Sequence, residues 1–180
     1  MKYVSATSAA EKVIYQYTLV KKVRPKPFWL ISHGSCLLLF GIVSGAFVPS
    51  LNWVVPIAAV LLYMAIEFIV VCALSWSRPE WSVYSSRYRW TGSFPWIGYF
   101  PVQAVPLRYF RISSIHTMWI GCSAAGLYFA WLHDSGALYA AFAVLWTAVP
   151  RVWIIAAFRT GSRDEFLIRF QDKEFSLYVS

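Results

Sequence analysis

The chain reads as an all-α membrane protein, a four-transmembrane-helix bundle with a small cytoplasmic appendage, on three observations. Of its 180 residues 59% are hydrophobic and only 13% are charged, against about 25% charged in a soluble domain. Leu51 to Leu74 is a 24-residue run whose one charged side chain is Glu67. At about 1.5 Å per residue that run is long enough for a hydrocarbon core of about 30 Å. Lysine and arginine are also divided between the loops in alternation. Residues 1–27 carry six of them and the 76–114 loop carries Arg78, Arg87, Arg89, Arg108 and Arg111, while residues 159–180 hold Arg159, Arg163, Arg169 and Lys173 and the turns at 49–52 and 133–136 hold none. The positive-inside rule then gives four spans with both termini cytoplasmic, so an integral, multi-pass protein of the cell membrane is expected.

Residues 1–27 form a basic cytoplasmic tail. Ser8 and Glu11 have capping-box spacing, and Ala10, Val13, Ile14, Tyr17 and Val20 would share one helical face. A helix is therefore expected there, with a strand as the alternative because VIYQYTLV is rich in β-branched and aromatic residues. Either element should stop before Arg24-Pro25. No cleaved signal peptide is expected, since the first apolar run starts only at Phe28 and no A-x-A site follows it.

The bundle occupies residues 28–158, with spans at about 28–48, 51–75, 115–132 and 137–158. Gly41-x-x-x-Gly45 in the first span is a spacing that lets helix backbones approach closely. Pro150 should interrupt the hydrogen bonding of the fourth. The 76–114 loop contains an uncharged stretch, WTGSFPWIGYFPVQAVPL, from Trp90 to Leu107. Three prolines and two glycines there argue against a fifth helix. The expectation is an aromatic and basic interfacial loop, with Arg87, Arg89, Trp90, Trp96, Arg108 and Arg111 contacting lipid or a partner. A re-entrant segment is the alternative, permitted only where irregular backbone is buried in protein or lines a wet cavity.

After Arg159 the pattern alternates with period two. Turning on Asp172-Lys173 places Phe170 opposite Phe175, Ile168 opposite Leu177 and Phe166 opposite Val179, all on one face. A β-hairpin in residues 159–180 is expected, and because a lone hairpin is marginal it should dock on another segment.

The net charge of +8 lies in short segments flanking apolar runs. That distribution points to anionic membrane lipids and not to nucleic acid. Cys36, Cys72 and Cys122 fall inside apolar segments without a C-x-x-C, so no disulfide framework is expected. No ligand spacing suggests a metal or other cofactor. His33, Cys36 and His116 are the weak candidates for Cys–His nucleophilic catalysis, which needs thiol and imidazole within hydrogen-bond reach. Glu67 lies 16 residues, about 24 Å, into span two, and Arg151 lies 14 residues, about 21 Å, into span four, which runs the same way. Unpaired charges at that depth are penalised, so the two should meet as a buried ion pair or mark an ion path.

Function is read as a non-enzymatic accessory or anchoring subunit that binds another membrane or cytoplasmic protein. Two alternatives stand beside it, a small transporter or channel with an ion-coupled Glu67 and a membrane-embedded Cys–His transferase or protease.

Overall fold

The long apolar runs form helices, because only a helix satisfies every backbone group within one apolar segment. In the computed structural model, which describes residues 18–47, 54–132, 136–158, 166–171 and 173–179, they are α1 (Pro27–Phe47), α2 (Val54–Ser77), α4 (Leu107–Leu132) and α5 (Gly136–Ala157). Pro27 opens α1 at the position where a missing N–H is harmless. A 3-10 turn, Pro79–Trp81, and the four-residue α3 (Ser82–Ser85) follow α2. Pro27–Ser44, Pro56–Ser77 and Gly136–Ala157 are long and apolar enough to cross a membrane. Leu38, Ile42, Leu61, Ile69, Leu145 and Val152 all stand half or more exposed on these helices, far more open apolar surface than a water-soluble monomer shows. The molecule is a helix-rich protein of the multi-span membrane kind.

Helix α4 starts eight residues before the expected third span, and it is not among the three most apolar helices. The extension has a helical period that the arginines disguise. Leu107, Phe110, Ser114 and Thr117 are buried along one face while Arg108 and Arg111 stay exposed. With 26 residues, roughly 39 Å at helical rise, α4 runs from the end where α2 stops to the end where α5 starts. Helices α2, α4 and α5 pack on one another. At Gly121 a Cβ would lie 3.0 Å from Val144 and 3.1 Å from Tyr63, so α4 approaches both neighbours closely there.

Helix α1 stands to one side, and ring contacts fasten it to α5. Trp29 stacks on Trp153 at 5.2 Å, His33 on Trp146 at 4.6 Å and Phe40 on Phe142 at 3.7 Å. Gly41, expected to bring two backbones together, has nothing within 4 Å of where its Cβ would be. Helix α5 continues through Pro150.

Among the described residues six strands lie at the end of the bundle where α2 stops and α4 starts. A hairpin joins β2 (Tyr88–Ser93) to β3 (Trp96–Pro101) through a cis Phe94–Pro95 bond. A four-stranded antiparallel sheet has the order β1-β6-β5-β4, with β1 Thr18–Val23, β4 Val105–Pro106, β5 Phe166–Gln171 and β6 Glu174–Val179. Strands β5 and β6 pair with Phe170 opposite Phe175, Ile168 opposite Leu177 and Phe166 opposite Val179. Lys173 supplies a left-handed residue at their turn, φ 65°. The hairpin docks through its two edges, β6 pairing with β1 and β5 with β4. It is the middle of a sheet whose edges come from the N-terminal tail and the central loop.

One sequence expectation is corrected here. The described part of the N-terminal tail is a strand and not a helix, ending at Val23, because pairing with β6 outweighs local helix preference. Residues 1–17, with the Ser8/Glu11 signal, lie outside the described residues, as do the turns at 49–52 and 133–135. The 90–107 stretch contains a β-hairpin and the short strand β4. Its hairpin fills the space between the helix ends and the sheet, where Trp96, Phe100, Val105, Phe110, Ile154 and Phe175 share one core.

Ionic contacts tie the layers together. Lys21 Nζ donates to Ala157 O at 2.7 Å, a cation on the last carbonyls of α5. Lys22 and Arg24 of the N-terminal segment both pair with Glu174 at the start of β6.

Candidate functional site

Glu67, just past the middle of α2, and Arg151, in the last third of α5, are both buried, at 1% and 3% exposure. Arg151 Nη2 lies 2.7 Å from Glu67 Oε2. What the depth arithmetic could not anticipate is the third party. Tyr99 N–H of β3 donates to Glu67 Oε2 at 2.7 Å, and Arg151 Nη2 donates to Tyr99 O at 3.1 Å. The N–H and C=O of one strand residue point the same way, so acid and base together occupy the edge of β3 where a further strand would bond. Arg151 also lies over the Phe100 ring, 4.4 Å from its centroid.

Gly98 makes this approach possible. Its φ of 134° is open to glycine and strained for other residues. A Cβ there would overlap Glu67 Oε2 and sit 3.0 Å from Oε1 and 3.1 Å from Cδ. Pro101 closes the strand opposite Tyr88, a fully buried residue whose phenol burial pushes up from its ordinary pKa. On the far side of Arg151 is a cavity of about 20 Å³ lined by Ser114, Met118 and Ile155 among others, about the room one water needs. Among the described residues Arg151 Nε, Ser114 Oγ and Glu67 Oε1 have no hydrogen-bond partner.

The other candidates separate. The His33 ring is buried between Trp29 and Trp146, at 5.2 and 4.6 Å, and Trp146 Nε1 donates to its carbonyl. Cys36, Cys72 and Cys122 are exposed on their helices. His116 is exposed and its Nδ1 bonds Ile112 O at 2.8 Å. Among the described residues no hydrogen bond joins a cysteine to a histidine, and no group of three potential metal ligands converges.

Of the expected contact residues, Arg89, Trp90, Arg108 and Arg111 are exposed and Arg87 is half-buried, with Nη1 donating to Ala104 O at 2.5 Å. Trp96 is corrected. It has no exposed surface, its indole donates to Lys173 O at 3.0 Å, and its ring meets Phe175 edge-on at 4.9 Å. It joins hairpin to sheet inside the protein.

Tyr99 and Gly98 are the functional residues that sequence reasoning missed. The available signal was Phe94-Pro95 between two six-residue runs rich in aromatic and β-branched residues, which is hairpin spacing. No protein-family model, curated protein or solved structure matches the chain.

Proposed function

We propose that the protein is a non-enzymatic anchoring subunit, a bundle of four spans that holds a small β platform rigidly at the cytoplasmic membrane surface. The observation that carries this reading is the engagement of both buried charges with the Tyr99 peptide. Each is used to fasten the platform to the bundle. In this reading α4 is the third span in chain order, because it covers the distance between the two ends of its apolar neighbours. The termini are cytoplasmic, the exposed Arg89, Arg108 and Arg111 meet anionic headgroups, and the platform presents its outer face to another protein.

A second reading, a small transporter, draws support from the water-sized, mostly apolar cavity that Arg151 and Ser114 line, each with a buried polar atom left unbonded among the described residues. Proteoliposome flux separates the two. The anchoring reading expects no proton or cation flux above protein-free vesicles, whereas flux abolished by Glu67→Gln would replace it. Single-cysteine labelling in a cysteine-free background should mark Ser50 and Ser135 from outside and Ser86 only after permeabilisation. Labelling of Ser86 from outside would invert the assigned orientation.

A further inference from the structure

A buried serine or threonine on a helix commonly satisfies its hydroxyl by bonding back to a carbonyl three or four residues earlier. Ser44, Ser75, Ser113, Thr117 and Thr147 all do so, reaching Gly41 O, Val71 O, Phe110 O, Ser113 O and Ala143 O at 2.6–3.1 Å. Ser114, 5% exposed, is the one buried serine or threonine on the long helices, among the described residues, that does not. The carbonyl four residues before it, Phe110 O, already accepts the Ser113 hydroxyl. Its Oγ is left without a partner beside the cavity of about 20 Å³.

That cavity lies between α4 and α5. Ser114 and Met118, one turn apart on α4, meet Arg151 across it. Arg151 spends Nη2 on both Glu67 and Tyr99, and its Nε–H is buried without an acceptor. An unsatisfied N–H on a buried charged group is costly, so the cavity is flanked by a donor and an acceptor that each need one more bond. Glu67 already balances the guanidinium charge, and the occupant that completes both bonds therefore carries none. The remaining lining, Ile115, Ala148, Val152 and Ile155, is apolar. The volume suits one water, which needs two to four polar partners.

We propose that this cavity is a binding site for a single water that joins Arg151 to Ser114. The water accepts from Arg151 Nε–H, donates one proton to Ser114 Oγ and turns the other toward Met118 Sδ, a weak acceptor. Three partners are the usual complement of a buried water. The direct bonds of the buried charges join α2, α5 and β3. Through the water, α4 becomes the fourth element tied to the same guanidinium. The site goes beyond the anchoring reading and does not depend on it.

The test is nuclear magnetic resonance of the full chain in detergent with nitrogen-15-labelled arginine. The Arg151 Nε–H signal is the one missing from a Glu67→Gln, Arg151→Met double variant, and in wild type it should show a nuclear Overhauser cross-peak to water. Ser114→Val removes the hydroxyl and fills the cavity with methyl groups, so the cross-peak should disappear. Melting of Ser114→Val should fall by about 3–10 °C, the loss of a bond to a charged group in a chain of this size. In the double-variant background no guanidinium remains to be stranded, and Ser114→Val should leave melting unchanged or raise it. No cross-peak in wild type, or melting of Ser114→Val no lower than wild type, would mean a dry cavity and overturn the proposal. Equal losses in the two backgrounds would assign the effect to overpacking and overturn it as well. A shift of the Arg151 signal when gluconate replaces chloride at constant ionic strength would identify a halide in place of water. None of these readouts senses membrane orientation or transport, so failure here is distinct from an inverted labelling pattern or from Glu67-dependent flux.

Discussion

Adding one methyl group at Gly98 should test the logic of the buried site more sharply than removing either charge. In Gly98→Ala the new Cβ meets the Glu67 carboxylate, which cannot swing aside without giving up both its Tyr99 N–H and its Arg151 bonds. Two penalties follow. Holding alanine at φ 134° costs about 1–3 kcal/mol. Displacing the carboxylate leaves Arg151 buried and unpaired, worth about 3–5 kcal/mol. The second dominates, and together they consume a large part of the roughly 5–15 kcal/mol that holds a typical domain folded. At about 2–4 °C per kcal/mol for a chain of this size, melting followed by tryptophan fluorescence in detergent should fall by about 10 °C or more, with less monodisperse protein. The two contributions can be separated. In a Glu67→Ala, Arg151→Met background the carboxylate is gone, and Gly98→Ala should then cost only the backbone share. An unchanged melting temperature, or the same loss in both backgrounds, would refute the account.

Glu67→Gln and Arg151→Met should each lower folded yield, because each strands its partner in a buried site. The double variant should recover much of the loss, and the pair has no energetic role if the double is no better than the worse single. At the sheet, the Lys22 ammonium bonded to Glu174, with Arg24 beside it, holds that carboxyl below its ordinary pKa of 4.5. A lowered folded-state pKa gives stability that is present above the ordinary value and is lost as pH falls through the lowered one. The melting advantage of wild type over Glu174→Gln should therefore hold at about pH 7 and shrink toward about pH 3. An advantage that grows on acidification contradicts the assignment.

What could be read from sequence was whatever rests on a regular repeat. Helical rise placed Glu67 and Arg151 at nearly one depth because both sit in unbroken apolar helices. Period-two alternation set the pairing of Phe170 with Phe175 because one face had to be apolar throughout. The central hairpin escaped because its cues were ambiguous. Trp90 is half exposed and Trp96 has no exposed surface, yet both are tryptophans in an uncharged, proline-containing stretch. Only the partners separate them, and those lie in β6 and α1, far away in sequence. The start of α4 escaped for a related reason: Arg108 and Arg111 looked like loop charges, while Leu107, Tyr109 and Phe110 beside them are buried. Glu67 could be recognised as needing a partner, but not that a peptide group of β3 would share it.

The sheet order has a consequence for biosynthesis. Strand β1 precedes every helix of the bundle, and its only strand partner among the described residues is β6, so Val23 pairs with Phe175 and Thr18 with Val179. These pairs are 152 and 161 residues apart. At synthesis rates of about 5–20 residues per second, β1 waits roughly 8–30 s for the strand it bonds. In that interval every helix emerges and can enter the bilayer while the ribosome is still at work. Lys21, Lys22 and Arg24 keep the waiting segment charged, which suits a lone strand that must not pair elsewhere. The sheet therefore closes only after every described helix has been made.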